Sequence, residues 1–174
     1  MRSRVSPSSN GVRRFITKLA AALILLIMIL AAAFLYTGSR GFLVLEDVRT
    51  GETIARYRMK TGDGFSIGFI HSVNKSPVTD YYELKKDGIY VVKTIYYNYG
   101  AGVQTQLEGN EKLEYGDDGS MIITGFDQKM NDLIYFVGTV SDHTLVLNEK
   151  TTISLRELCG RNAMVRFRYE NGGT

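Results

Sequence analysis

What most restricts the folds open to this chain is the punctuation of everything after Thr37. Short runs rich in Val, Ile, Tyr, Phe and Thr are cut at close intervals by Arg49-Thr50-Gly51, Thr61-Gly62-Asp63-Gly64, Lys86-Asp87-Gly88 and Asp117-Asp118-Gly119. Glycine reaches left-handed backbone without steric cost and Asp hydrogen-bonds its own turn, so each cluster ends one extended run and starts the next. The runs predict strands near 42–48, 52–59, 65–71, 79–86, 89–98, 104–115, 120–126, 133–140, 144–149 and 163–169. No helical alternation separates them, which disfavours nucleotide-binding α/β sheets. The expected fold class is all-β, with antiparallel hairpins closed into a sandwich or barrel. One short helix is expected late in the chain, where Ser154-Leu155-Arg156-Glu157 has capping-box spacing and Gly160 can end the turn.

The N-terminus is of another kind. Arg2, Arg4, Arg13, Arg14 and Lys18 precede an unbroken apolar run from Leu19 to Tyr36. As a helix that run rises roughly 27 Å, near the thickness of a bilayer's hydrocarbon core. Basic residues stay preferentially in the cytoplasm, so the organisation expected is a cytoplasmic arm at 1–18, a single-pass signal anchor at 19–37 and an extracytoplasmic β-domain at 38–174. A cleavable signal peptide is the rival, because Ala31-Ala32-Ala33 contains the small-x-small pattern a signal peptidase accepts. Phe34-Leu35-Tyr36 carries the apolar run past those alanines and favours the retained anchor.

Charge reads differently once the arm is set apart. The whole chain is +3, but five of its 21 basic residues lie in the arm, which leaves 16 against 18 acidic residues outside. The basic balance follows from membrane topology and gives no support to nucleic-acid binding. The single cysteine, Cys159, has no internal disulfide partner, and its neighbour Leu158 favours a packed thiol.

Only two histidines occur, His71 and His143, each where an expected strand meets a polar turn. Imidazole is the side chain most easily switched between donor, acceptor and metal ligand near neutral pH, so these positions are the leading site candidates. Strand parity places His71 on the face of Phe65, Ile67 and Phe69, and His143 on that of Leu145 and Leu147; both should point inward. Ser72, Asn74, Asp80 and Asp142 are near enough in sequence to serve as hydrogen-bond partners.

The bland reading is a pair of satisfied histidines pinning loops at one end of the domain. The sharper one is a shared site. If the two strand ends meet, His71, His143 and a carboxylate from Asp80 or Asp142 could hold a divalent metal, although no tight ligand spacing is present. No other cofactor is indicated. Ser72 beside His71 supplies ingredients for a nucleophile, but no Gly-x-Ser-x-Gly elbow exists and adjacent strand residues face opposite ways. A second candidate surface is Tyr96-Tyr97-Asn98-Tyr99-Gly100-Ala101-Gly102, whose Tyr99, Gly100 and Gly102 could present a ring face and backbone N–H groups to an anion. A glycine bulge or turn at the end of a central strand is the favoured explanation, and no Lys-Ser/Thr follows to make a P-loop.

Three ordered motifs then carry a resemblance: Phe69-Ile70-His71-Ser72-Val73-Asn74-Lys75-Ser76-Pro77-Val78 with Tyr81-Tyr82, Tyr99-Gly100-Ala101-Gly102, and Val137-Gly138-Thr139-Val140-Ser141-Asp142-His143-Thr144-Leu145. Over about residues 42 to 158 the chain resembles a small bacterial and archaeal domain of unknown function, often encoded beside TRAP transporters of the TAXI class. The resemblance implies genomic company and no catalytic residues. The leading expectation is a membrane-anchored extracytoplasmic accessory protein that docks the transporter's membrane subunit or solute-binding protein. The alternative is a small-ligand or metal-binding module using His71, Ser72, Asn74, Lys75, Asp142 and His143, and a hydrolase comes last. Histidines converging in an open pocket with carboxylates would favour ligand binding or catalysis, and histidines buried apart, with an exposed aromatic patch elsewhere, would favour docking.

Overall fold

The computed structural model describes residues 9–37, 40–73, 75–97 and 107–172. The chain divides into two compact units, one ending at Ser39 and one beginning at Arg40. The first holds α1 (Ser9–Thr37), a helix that takes in the whole apolar run. Among the described residues no helix is long and apolar enough to cross a membrane. The described side chains of α1 stop at Leu30, inside the run on which the anchor expectation rests.

The second unit is built from β1 (Arg40–Asp47), β2 (Thr53–Lys60), β3 (Gly64–Ile70), β4 (Pro77–Lys85), β5 (Gly88–Tyr96), β6 (Lys112–Tyr115), β7 (Met121–Met130), β8 (Leu133–Phe136), β9 (Thr144–Leu147), β10 (Thr151–Ser154), α2 (Leu155–Cys159) and β11 (Met164–Glu170). They form two sheets, ordered β2-β1-β11-β8 and β10-β9-β3-β4-β5-β7-β6. Every pairing among them is antiparallel. The arrangement is a sandwich, since one core takes side chains from both sheets: Leu43, Leu45, Val165 and Phe167 from the smaller, Phe65, Ile67, Leu84 and Leu145 from the larger.

Period-two alternation decides which residues go inside. In β3, Phe65, Ile67 and Phe69 share one face, and the register Phe65↔Tyr82, Ile67↔Asp80, Phe69↔Val78 carries that face onto β4. Phe65 lies at the middle of the seam. Its ring stacks on Tyr82 at 4.9 Å within its own sheet and on Phe167 at 5.8 Å across the sandwich. A smaller cluster of Val78, Tyr96, Met121 and Ile123 continues the apolar face toward β7. Cys159 packs against the main core as a half-buried free thiol, and burial pushes it up to about 11.

Several strands end differently from their sequence signals. β10 follows β9 after a short turn, in a stretch expected to be loop. β7 continues four residues past the expected end at 126, and within it Gly125 sits at φ 85°, where an added Cβ would lie 2.2 Å from the Asn110 carbonyl oxygen. Of the expected strand at 104–115, only Lys112–Tyr115 is strand among the described residues, and 104–106 lie outside them. β8 stops at Phe136 although Val137-Gly138-Thr139-Val140 reads as its continuation. Gly138 is the reason: the chain folds so tightly here that a Cβ would stand 2.6 Å from the Ser141 carbonyl oxygen. Val137 still pairs with Ala163, and the residues from Gly138 onward leave the sheet to become one wall of a cleft.

Candidate functional site

Two turns at the same end of the sandwich make the site. The first closes β3 onto β4, where the His71 N–H donates to the Ser76 carbonyl (2.9 Å) and the Lys75 N–H to the His71 carbonyl (3.0 Å), with Lys75 in left-handed backbone at φ 55°. The second runs from Phe136 to His143, and the Ser141 hydroxyl donates across to the Ile70 carbonyl at 3.4 Å. Because β9 pairs with β3 through Gly68↔Thr144, the residue before Thr144 falls beside Phe69. The His143 ring accordingly stacks on Phe69 with centroids 5.1 Å apart.

Between the turns lies an open cleft of about 480 Å³, lined on one side by His71, Ser72 and Lys75 and on the other by Thr139, Ser141 and His143. That volume suits a small organic molecule. The only two histidines of the chain thus border one space. His143 is buried, as parity requires, whereas His71 stands one residue past the end of β3 and is half-buried. The same departure from strand geometry corrects the expectation for Ser72. Strand parity opposes it to His71, but β3 has already ended, and both residues line the cleft.

At Nδ1 both imidazoles accept from the backbone rather than from the polar side chains expected to serve them. His71 Nδ1 accepts from the Val73 N–H at 3.3 Å, and His143 Nδ1 from the Gly138 N–H at 3.2 Å. A ring nitrogen that accepts carries no proton, so each neutral ring holds its proton at Nε2. Burial lowers the His143 pKa below its ordinary 6.5; Asp142 acts in the opposite sense and Arg156 in the same sense.

The sign of the resulting linkage is fixed. Since the unfolded chain takes up the His143 proton more readily than the folded one, this group's contribution to stability is complete above pH 6.5 and is lost as pH falls through 6.5 toward the folded value. Thermal unfolding of the full chain should therefore drop between about pH 7.5 and 5.5. A His143→Gln variant should show a flatter profile over that range; an equally steep one would assign the drop to other groups. Asp142 acts in a lower window. Desolvation would raise its carboxyl, but hydrogen bonds from the Ser154 hydroxyl and from the backbone N–H groups of Arg156 and His143 hold it below 3.8, so its contribution persists until the medium is strongly acid.

The two carboxylates expected to join the histidines are used elsewhere. Asp142 accepts from the Ser154 hydroxyl and from the Arg156 N–H at 3.0 Å, while Ser154 Oγ accepts the Glu157 N–H at 3.0 Å as the cap of α2. Asp80 lies on the inner face of β4, where it accepts from the Tyr135 hydroxyl at 2.6 Å and the Thr94 hydroxyl at 2.9 Å. Tyr135 and Tyr82 are joined hydroxyl to hydroxyl at 2.7 Å, and burial foremost raises both phenols well above 10. This chain links the two sheets directly behind the cleft, with the Tyr135 ring edge-on to His143 at 6.0 Å. Among the described residues no three His, Cys, Asp or Glu side chains gather in a metal-holding group.

Asn74, Tyr99, Gly100 and Gly102 lie outside the described residues. Sequence reasoning passed over Phe136, Thr139 and Val140, which read as strand, and Ser141 in the turn after them; the available signal was Gly138, a residue able to end that strand. A second concavity of about 450 Å³ lies elsewhere, over the outward residues Ser66, Tyr81, Glu83 and Lys93 of the larger sheet. Its ammonium is engaged over the Tyr81 ring at 3.8 Å.

Residues 65–154 match a family described as a domain of unknown function, DUF1850. The span runs from β3 to the end of β10 and contains every residue of the cleft. No curated protein and no solved structure matches the chain.

Proposed function

Because the chain belongs to the DUF1850 family, with the cleft inside the family's span, we propose that the β unit is a small-ligand-binding module centred on His71 and His143. The observation that carries this reading is the convergence of both histidines on one open cleft, each with its Nδ1 accepting from the backbone. A pair of histidines serving only to pin loops would not need to share a space of this volume. Ser72 offers a means of test, as it lines the cleft from an exposed turn. Ligand-observed NMR with a library of small aromatic and aliphatic fragments should find binders to the full chain in micelles whose signal is lost in Ser72→Trp. Fragments that bind both proteins equally would place the site elsewhere.

The module works at a membrane in this reading. From Leu19 to Leu30 α1 presents apolar side chains around its whole circumference, and such a helix needs lipid or protein on every side. The basic residues before Leu19 set the β unit on the extracytoplasmic side. A second reading, docking to a TRAP-type transporter of the TAXI class, draws on the sequence resemblance and on one structural observation. Ile70, Val73, Phe136 and Val140 all stand exposed at the cleft's end of the sandwich, Val140 at 91%. Exposed apolar groups gathered in one place suit a protein contact. Purification of the tagged chain from native membranes in mild detergent should bring down the transporter's membrane subunit or solute-binding protein; their consistent absence would remove this second reading and leave the first intact.

A further inference from the structure

The charge pattern around the cleft specifies its occupant, an inference that rests on the ligand-binding reading above. Among the described residues that line it none is acidic, and Lys75 brings an ammonium to an exposed position at its edge. A second cation stands behind the opposite wall. Arg156 reaches the Gly138 carbonyl through Nη2 at 3.5 Å, and its Nε is buried with no hydrogen-bond partner. Asp142, beside that wall, is turned onto Ser154 and the first turn of α2. Around these charges are neutral donors: the Nε2–H of His143 and the hydroxyls of Ser72 and Thr139. Phe136, Ile70 and Val140 supply the apolar part of the lining.

A cationic ligand here would meet the Lys75 ammonium and, among the described lining residues, no carboxylate, since Arg156 and Asp142 lie together behind the wall. A neutral one would leave the Lys75 charge unanswered. An anion completes the set, because charge-assisted hydrogen bonds from ammonium and imidazole N–H groups are the strong ones and the apolar wall takes up an attached hydrocarbon body. We propose that the cleft binds a small organic carboxylate, its anionic end toward Lys75 and the His143 imidazole N–H and its apolar body against Phe136, Ile70 and Val140.

Four probes of graded chemistry test this by calorimetry on the full chain in neutral detergent micelles: benzoate, benzamide, benzylamine and acetate. Benzoate should bind about tenfold or more tightly than benzamide, with acetate weaker than benzoate for want of an apolar body and benzylamine not bound. Lys75→Asn removes the charge while tolerating left-handed backbone, and it should weaken benzoate about tenfold with benzamide unchanged. Lys150→Gln, an exposed lysine in the turn between β9 and β10, should leave both affinities alone and so separates local from net charge. Benzamide or benzylamine binding as well as benzoate, or benzoate affinity indifferent to Lys75→Asn, would overturn the carboxylate assignment and leave a ligand cleft of other specificity. No binding by any of the four would remove the assignment together with the cleft as a ligand site.

Discussion

Phe65→Ala is expected to destabilise the β unit by about 3–5 kcal/mol, the range for deleting a fully packed aromatic ring from a core. The ring is buried and has a stacked partner on each side, Tyr82 in its own sheet and Phe167 in the other, so no single neighbour can close the space it leaves. In thermal unfolding that loss corresponds to a fall on the order of 10–20 °C. Phe65→Leu should recover much of it by keeping apolar volume at the site. A Phe65→Ala protein that unfolds within a few degrees of the parent would mean that the two sheets do not share the core described here.

The second large effect is expected from one oxygen atom. Tyr135→Phe removes the hydroxyl that donates to Asp80 at 2.6 Å and meets the Tyr82 hydroxyl at 2.7 Å. Deleting a hydrogen bond to a carboxylate together with a neutral one, in a half-buried setting, should cost about 2–4 kcal/mol. Tyr82→Phe loses only the neutral bond and should cost about 1 kcal/mol. The order of the two variants matters more than either value, because it follows from Asp80 being the acceptor at the end of the chain. Equal effects, or a milder Tyr135→Phe, would contradict that direction. Since the same ring stands edge-on to His143, Tyr135→Phe should also shift the imidazole signals of His143 and leave those of His71 nearly unmoved.

How far such features were legible follows from what each depends on. The inward face of β3 was readable from Phe65, Ile67 and Phe69 because alternation is a local property of an extended chain. The cap of α2 was readable for the same reason, Ser154 and Glu157 lying within one turn. The partners of the histidines were not. His71 and His143 accept from the N–H groups of Val73 and Gly138, and any residue supplies such an N–H, so composition carries no trace of it. Asp80 and Tyr135 meet across the two sheets at a separation in sequence that no local pattern encodes. The cleft itself depends on where β8 stops, and the β-branched residues around Gly138 argue for continuing the strand while the missing Cβ permits the turn. The shared site was expected as a metal centre only if carboxylates joined it; the structure instead places Asp142 on α2 and Asp80 behind Tyr135.

The central claim is that the two histidines border one ligand-binding space, and the chain permits a direct test because it has no others. With histidine labelled in the full chain in micelles, the imidazole region of a carbon–proton NMR spectrum contains two sets of signals. Titration with benzoate should move both sets along one saturation curve, while the backbone amide of Lys93, on the outer face of the larger sheet, stays in place. Saturable benzoate binding that moves neither histidine, or only one of them, would contradict the account.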